Sequence, residues 1–174
     1  MNAAFRPPAV PLITHDPYFS VWSMADKLTD EPARHWTGVV QSMDGLVRID
    51  GKTFRCMGSE RHNKFPALEQ TSVEVLPTRT IYQFSGAGID LTITFLTPAL
   101  PADLDVLSRP VTYLIWDAKA SDARKHAVQL YFDASTEIAV DTPDEPTNWS
   151  RYRVGDLDVL RVGSQQQPIL QKSG

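Results

Sequence analysis

The chain has 174 residues, of which 42% are hydrophobic and 22% are charged, and this composition is typical of a globular protein with one domain or at most two. The net charge of -4, with no run of basic residues, excludes a typical nucleic-acid surface. The single cysteine, Cys56, excludes an internal disulfide and a cysteine metal cluster. The apolar stretches fall far short of the ~20 residues that span a membrane, so no membrane partner is expected.

The N-terminal part combines an extended arm with polar and aromatic loops. Residues 1–11 are rich in proline and are predicted to run extended over the surface, without the pattern of a signal peptide. Residues 11–22 (PLITHDPYFSVW) and 34–38 (RHWTG) are predicted to be short loops whose side chains are available for binding.

Two Asp-Gly pairs predict hairpin turns, since both central residues of a type I′ turn need positive φ. One pair is Asp44–Gly45, between residues 39–43 and 46–49. The other is Asp50–Gly51, between residues 47–49 and 52–55.

The rest of the chain alternates strand patterns with turn residues. Residues 71–76 and 79–84 are predicted strands around a turn at 77–78, and a second turn at 85–88 leads into a half-buried strand over 89–95. One helical turn is predicted at 103–107. Three further strands are predicted: one at 111–116 that is covered on both faces, a half-buried one around 128–132 and one at 158–162. Loops are predicted at 124–126 and at 141–150, and the second, acidic loop ends in an exposed Trp149.

About eight short strands with prolines at their borders predict an all-β fold, an antiparallel β-sandwich of the supersandwich kind. We expect one domain over residues 1–174. Because residues 165–174 follow the last predicted strand without another strand or a capping helix, the chain is interpreted as a piece of a longer protein, the alternative being a frayed terminus.

The first loop offers His15 and Asp16 as a base with its orienting carboxylate. The alternative, which the sequence favours, is that Asp16 caps a turn before Pro17. The aromatic residues Tyr18, Phe19 and Trp22 are predicted to anchor the loop in the core, or else to form a stacking platform for a ligand.

The second loop is the stronger functional candidate, because residues 34–37 place hydrogen-bonding and aromatic side chains at the end of a predicted sheet. The alternative is a salt bridge from Arg34 to Glu31 or Asp30, with Trp36 packed under the loop. The candidate residues for ligand binding or a domain interface are Asp16, Tyr18, Trp22, Arg34, His35 and Trp36.

Other chemistry is not expected, and no catalytic residue is predicted. The acidic side chains of Asp141, Asp144, Glu145, Asp156 and Asp158 are interpreted as solvated, since nothing fixes two carboxylates at a glycosidase spacing. The four histidines lack metal-site spacing, so no metal and no cofactor are predicted. Cys56 is interpreted as a small buried hydrophobe.

Five segments, in order, resemble the N-terminal region of the glutaminase A-type family: 17–22 (PYFSVW), 34–38 (RHWTG), 47–58 (VRIDGKTFRCMG), 70–77 (QTSVEVLP) and 91–98 (LTITFLTP). The resemblance implies a β-sandwich that precedes a helical α/α-toroid domain, and hydrolysis of L-glutamine to L-glutamate and ammonia by the parent protein. It also implies that this region is itself non-catalytic and contacts the C-terminal helical domain of the same polypeptide or rims its cleft, near a small polar substrate. A secreted or periplasmic location is a further implication, although the chain itself leaves the compartment open.

Two other hypotheses stand beside this one. The first hypothesis is a carbohydrate-binding module with Trp22, Trp36 and Trp149 as stacking platforms. The second is an accessory domain of a glycosidase-like enzyme.

Overall fold

Alternating apolar and polar side chains produce twelve strands in residues 7–58 and 62–167, which a computed structural model describes. The elements are β1 (Val10–Thr14), β2 (Ser20–Ser23), β3 (Arg34–His35), β4 (Met43–Ile49), β5 (Lys52–Met57), β6 (Glu69–Leu76), β7 (Arg79–Gly86), β8 (Ile89–Leu96), α1 (Leu104–Leu107), β9 (Tyr113–Ala120), β10 (Val128–Ala134), a 3₁₀-helix (Thr136–Ala139), β11 (Thr147–Val154) and β12 (Leu157–Ser164). The predicted all-β, sandwich-like class is confirmed.

The strands form four sheets with the orders β1-β2-β3, β10-β4-β5, β6-β7-β8-β9 and β11-β12. Neighbours in the four-stranded sheet are antiparallel. Tight turns join β6 to β7 and β7 to β8, whereas residues 97–112, which include α1, connect β8 to β9. Residue contacts divide the chain into two compact units, 1–133 and 134–174. The second unit consists, in its described part, of the 3₁₀-helix and the β11-β12 hairpin. A single domain over residues 1–174 stays a prediction.

The core of the first unit comes from the period-2 pattern of β7 and β8. Alternate residues of these strands are buried, and they are Thr80, Tyr82, Phe84, Ile89, Leu91, Ile93 and Phe95. The ring of Tyr82 stacks against Phe84 and meets Phe95 edge to face, with centroids 6.4 and 6.3 Å away. A second set of buried side chains comes from β4 and β5 and includes Val47, Ile49 and Cys56.

Local turn chemistry is confirmed at several positions. Asp50 and Gly51 have φ values of 47° and 86° and join β4 to β5 as predicted. The turn after Leu76 is also present. Asp103 caps the predicted helical turn, because its side chain accepts a hydrogen bond from the Val106 N–H at 3.0 Å.

The hairpin predicted at Asp44–Gly45 is wrong, since both residues lie inside β4 and are buried. Gly45 is required there for another reason. A Cβ atom at Gly45 would lie 2.9 Å from Cη2 of Trp116 and 3.1 Å from Cβ of Met57. The glycine therefore allows close approach of β9 to β4, which local turn rules do not detect.

The loop predicted over residues 11–22 is also different, because it contains β1 and β2. Val10 and Val21 are buried, and β1 is hydrogen-bonded to β2. The last two residues of the predicted arm, Val10 and Pro11, belong to β1, and residues 1–6 lie outside the described part of the chain.

The prediction that residues 111–116 are covered on both faces is wrong. Tyr113 is exposed and Ile115 is 47% exposed, whereas Leu114 and Trp116 are partly buried. The strand is at the edge of its sheet, and the face that carries Tyr113 and Ile115 is open within the described residues of the first unit. In the second unit, Trp149 is exposed as predicted, but it lies in β11 rather than in a loop.

Candidate functional site

The two predicted loops meet at the backbone carbonyl of Pro17. The Nε1–H of Trp36 donates to this oxygen at 2.7 Å, and Nε2 of His35 lies 2.9 Å from it. The opposite ring nitrogen of His35, Nδ1, lies 2.8 Å from Oγ1 of Thr37. We call Pro17, Tyr18, His35 and Trp36 the Pro17 cluster.

Pairing of β2 with β3 produces this arrangement. Val21 is opposite His35 and Trp22 is opposite Arg34, so the start of β2 and the end of β3 lie together. The backbone N–H of Trp36 donates to the Ser20 carbonyl at 3.2 Å. The structure therefore brings together loops that are about 18 residues apart in sequence.

Asp16 has the turn-capping role that the sequence favours. Its Oδ1 accepts hydrogen bonds from the backbone N–H groups of Tyr18 at 2.8 Å and Phe19 at 3.0 Å. Nε2 of His15 contacts the carbonyl oxygen of Arg109. These contacts place Asp16 as the residue that shapes the turn and not as the orienting partner of His15.

The aromatic residues of the first loop differ in exposure. Tyr18 is 79% exposed, so the prediction that it anchors the loop in the core is wrong, and Trp36 is exposed as well. Trp22 is partly buried, and its Nε1–H donates to Oγ of Ser20 at 2.8 Å. Only the Pro17 cluster, among the predicted site residues, presents large aromatic surfaces.

Arg34 supports the second loop. Its Nη1 donates to the carbonyl of Gly38 at 3.1 Å, and its Nε lies 3.9 Å from Oε2 of Glu31. The predicted salt bridge to Glu31 is present. An exposed pair of this length contributes little to stability, so the backbone contact is the stronger link.

The Pro17 cluster is suited to contact rather than to proton transfer. Both ring nitrogens of His35 have hydrogen-bond partners, and its ring lies 5.7 Å from that of Trp36 at 46°. The exposed ring faces of Tyr18 and Trp36 remain available for packing or stacking.

A histidine cluster that the sequence analysis missed joins the β4-β5 turn to the loop before β10. Nδ1 of His126 lies 2.6 Å from Oδ2 of Asp50, and Nε2 lies 2.8 Å from Oδ1 of Asp122. Oδ1 of Asp50 also accepts from the Ala127 N–H at 2.9 Å. The His126 side chain is 5% exposed. The sequence indicated only a loop at residues 124–126. The contact was missed because His126 and Asp50 are 76 residues apart in the chain.

The charges of this cluster shift its pKa values. Hydrogen bonds to Asp122 and Asp50 raise the pKa of His126. The hydrogen bonds from His126 and Arg124 lower the pKa of Asp122, and those from Ala127 and His126 lower the pKa of Asp50. The two carboxylates therefore favour the imidazolium form of His126.

We expect the stability of the chain to depend on pH through this cluster. The raised pKa of His126 stabilises the fold fully below about pH 6.5, and this contribution is lost as the pH rises through the folded-state pKa. The lowered pKa values of Asp50 and Asp122 stabilise it above about pH 4, and this is lost as the pH falls. Urea midpoints between pH 5.5 and 9 should fall for the native sequence and stay nearly constant for His126→Gln.

The matched control is His35→Gln, which removes another hydrogen-bonded histidine. Its urea midpoint should still fall as the pH rises from 5.5 to 9, as in the native sequence. An unchanged pH profile in His126→Gln would show that the cluster does not contribute.

Exposed apolar side chains lie on two edge strands of the first unit. β9 carries Tyr113 and Ile115, and β10 carries Leu130 and Phe132. Edge strands with exposed apolar residues are sites where other chain segments pack.

The second unit has a groove beside Trp149. The groove has a volume of about 190 Å³, and its lining includes Asn148, Trp149, Arg161 and Gly163. It is smaller than the roughly 300–1,000 Å³ of typical small-molecule sites.

Two further groups bear on chemistry. Burial raises the pKa of the Cys56 thiol, which agrees with its interpretation as a buried hydrophobe and not a nucleophile.

Asp44, His62 and Asp133 lie close enough together to hold a metal ion. Sequence spacing did not indicate this set, because its members are far apart in the chain.

In the part of the chain that the structure describes, no helix has the length and apolar character needed to cross a membrane.

The fold and these clusters define an all-β, sandwich-like chain with an aromatic cluster at the end of one sheet. The chain belongs to the DUF5127 family, described as a domain of unknown function, whose model matches residues 78–174. A second model, DUF4964, also described as a domain of unknown function, matches residues 1–68.

Among curated proteins, the chain is similar to Glutaminase A of Aspergillus oryzae (strain ATCC 42149 / RIB 40). The two are 31% identical over 159 residues, which cover 87% of this chain and 23% of Glutaminase A. The chain thus spans less than a quarter of the length of this relative. No solved structure matches the chain.

Proposed function

We propose that the chain is the N-terminal accessory domain of a glutaminase-like amidohydrolase. The parent protein would convert L-glutamine and water to L-glutamate and ammonia. The observation that supports this most directly is the similarity to Glutaminase A, which extends over most of this chain but over a small part of that protein. In this proposal the chain is non-catalytic and packs on a helical catalytic domain or rims its cleft.

The Pro17 cluster supports a contact role at such an interface. The ring nitrogens of His35 and Trp36 and the Pro17 carbonyl are engaged in internal hydrogen bonds, while Tyr18 and Trp36 expose their rings. Aromatic residues with satisfied polar groups are typical anchors of protein interfaces. The open face of β9, with Ile115, offers a second contact area.

The test is made in the full-length parent protein. We expect Trp36→Ala to weaken contact between the domains by about 2 kcal/mol, the usual cost of removing an aromatic anchor, and His35→Ala to weaken it less. Glutaminase activity and the rate of limited proteolysis between the domains are the measurements.

The matched control is Trp149→Ala, which removes another exposed tryptophan from the second unit and should leave both readouts unchanged. Unchanged kinetics and proteolysis in both Trp36→Ala and His35→Ala would contradict the interface role. Parallel assays with glutamine and with aryl glycosides would separate a glutaminase from a glycosidase parent.

A second candidate function, carbohydrate binding, has one specific observation in its favour. Trp149 is 78% exposed beside a groove that also contains Asn148 and Arg161. An exposed indole next to hydrogen-bonding side chains is able to stack on a sugar ring. Calorimetric titration with glycans would detect heat that Trp149→Ala abolishes, whereas an interdomain role requires no affinity for sugars.

A further inference from the structure

Three distant segments of the first unit converge at Asp44, His62 and Asp133. Asp44 lies in β4, His62 lies in the segment before β6, and Asp133 lies in β10. One ligand atom from each side chain, an imidazole nitrogen or a carboxylate oxygen, lies within 4.8 Å of the other two. The cluster contains one histidine and two carboxylates, which are common ligands of transition-metal ions.

The contact between His62 and Asp133 is long for a hydrogen bond. Nε2 of His62 lies 3.5 Å from Oδ2 of Asp133, whereas such bonds are usually about 2.7–3.2 Å. Two ligands bound tetrahedrally to one ion at about 2.0–2.1 Å are roughly 3.4 Å apart. Nε2 of His62 is shielded from solvent and has no hydrogen-bond partner among the described residues. The separation of Nε2 of His62 from Oδ2 of Asp133 matches the distance between two atoms that share a cation.

The imidazole of His62 is held in place by aromatic neighbours. The ring of Phe65 stacks on it at 6.5 Å, and the ring of Tyr131 meets it edge to face at 5.7 Å. Packing of this kind limits rotation of the ring, so that Nε2 keeps its position without a hydrogen bond. A preorganised ligand loses less conformational freedom when it binds an ion.

Gly58 provides the space for the Asp44 carboxylate. A Cβ atom at Gly58 would lie 2.0 Å from Oδ1 of Asp44 and 2.9 Å from the carbonyl oxygen of Met43. Asp44 is only 2% exposed. The backbone thus closes around a carboxylate that is almost completely buried.

The electrostatics of this site also favour a cation. Two carboxylates at short range repel each other, and burial of Asp44 increases the cost of its charge. A divalent ion bound between the two carboxylates is attracted to both of them. The imidazole nitrogen argues against Ca²⁺ and Mg²⁺, which prefer oxygen ligands.

We propose that Asp44, His62 and Asp133 form a binding site for one divalent transition-metal ion, with Zn²⁺ as the best match. The three side chains supply one nitrogen and two oxygen ligands, and water completes the coordination. The ion connects β4, β10 and the segment that carries His62, so its function is to stabilise the first unit. This inference does not depend on the glutaminase proposal.

The experiment uses the 174-residue chain after treatment with a chelator. We expect calorimetric titration with ZnCl₂ to show one ion per chain and Zn²⁺ to raise the melting temperature, while CaCl₂ produces little change. His62→Gln should lower the Zn²⁺ affinity by more than the roughly 10–100-fold that is typical of losing an outer-shell contact. His15→Gln, which removes a histidine outside the cluster, should retain the native affinity.

A second variant and a spectroscopic readout separate metal binding from folding. Asp133→Asn keeps the size of a partly exposed side chain, and it should also reduce affinity. With Co²⁺ as the probe, visible absorption should appear for the native chain and for His15→Gln, and it should be lost in His62→Gln. Failure of the native chain to bind Zn²⁺ or Co²⁺, or equal affinity in native and His62→Gln chains, would overturn the proposal.

Discussion

Gly58→Ala is expected to destabilise the chain by at least about 3 kcal/mol, the range of severe backbone and packing defects. Gly58 has a φ of 77°, which alanine adopts only with strain. The new methyl group would also overlap the Asp44 carboxylate, which is buried and has little room to move. Urea unfolding of the purified chain measures this change, and failure to accumulate as soluble protein is its extreme form.

The control for this substitution is Gly51→Ala. Gly51 has a similar φ of 86°, but nothing lies within 4 Å of its missing Cβ. It should therefore lose only about 1–2 kcal/mol, the cost of left-handed backbone. Equal losses at Gly51 and Gly58 would show that close packing against Asp44 adds nothing.

Ile93→Ala should be the second large effect, with a loss of about 2–5 kcal/mol. Ile93 in β8 is completely buried, so truncation leaves a cavity in the core to which Leu91 and Phe95 also belong. Chemical denaturation followed by tryptophan fluorescence, to which Trp116 opposite Ile93 in β9 contributes, reports this change.

The same substitution on the neighbouring strand provides a matched comparison. Ile115→Ala in β9 removes a side chain that is 47% exposed, so the isolated chain should lose less than about 1 kcal/mol. In the full-length parent the loss should increase if another domain covers β9. An equally small loss in both contexts would argue that the open face of β9 is not a docking surface.

Elements governed by short-range chemistry were predicted correctly. The Asp50–Gly51 turn follows from residues that tolerate positive φ, and β8 follows from strict alternation of Ile89, Leu91 and Ile93 with polar residues. The capping role of Asp16 also belongs here, because the two N–H groups that donate to its carboxylate lie within three residues of it.

The errors occurred where a distant segment decides the outcome. Asp44–Gly45 has the composition of a turn, yet Gly45 lies in β4 against Trp116. Tyr18 is a large aromatic residue of the kind usually found in a core, yet it is exposed. For the candidate site, the sequence identified His35 and Trp36 but not their common acceptor, the Pro17 carbonyl.

By itself, the sequence determined the all-β class, most of the turns and the aromatic composition of the two loops, because these depend on alternation and on φ preferences of neighbouring residues. Only the tertiary structure decided which face of β9 is open, how His126 pairs with Asp50 and Asp122, and that Asp44, His62 and Asp133 meet. These contacts join residues that are tens of positions apart. Their formation depends on strand order and register, which no local pattern specifies.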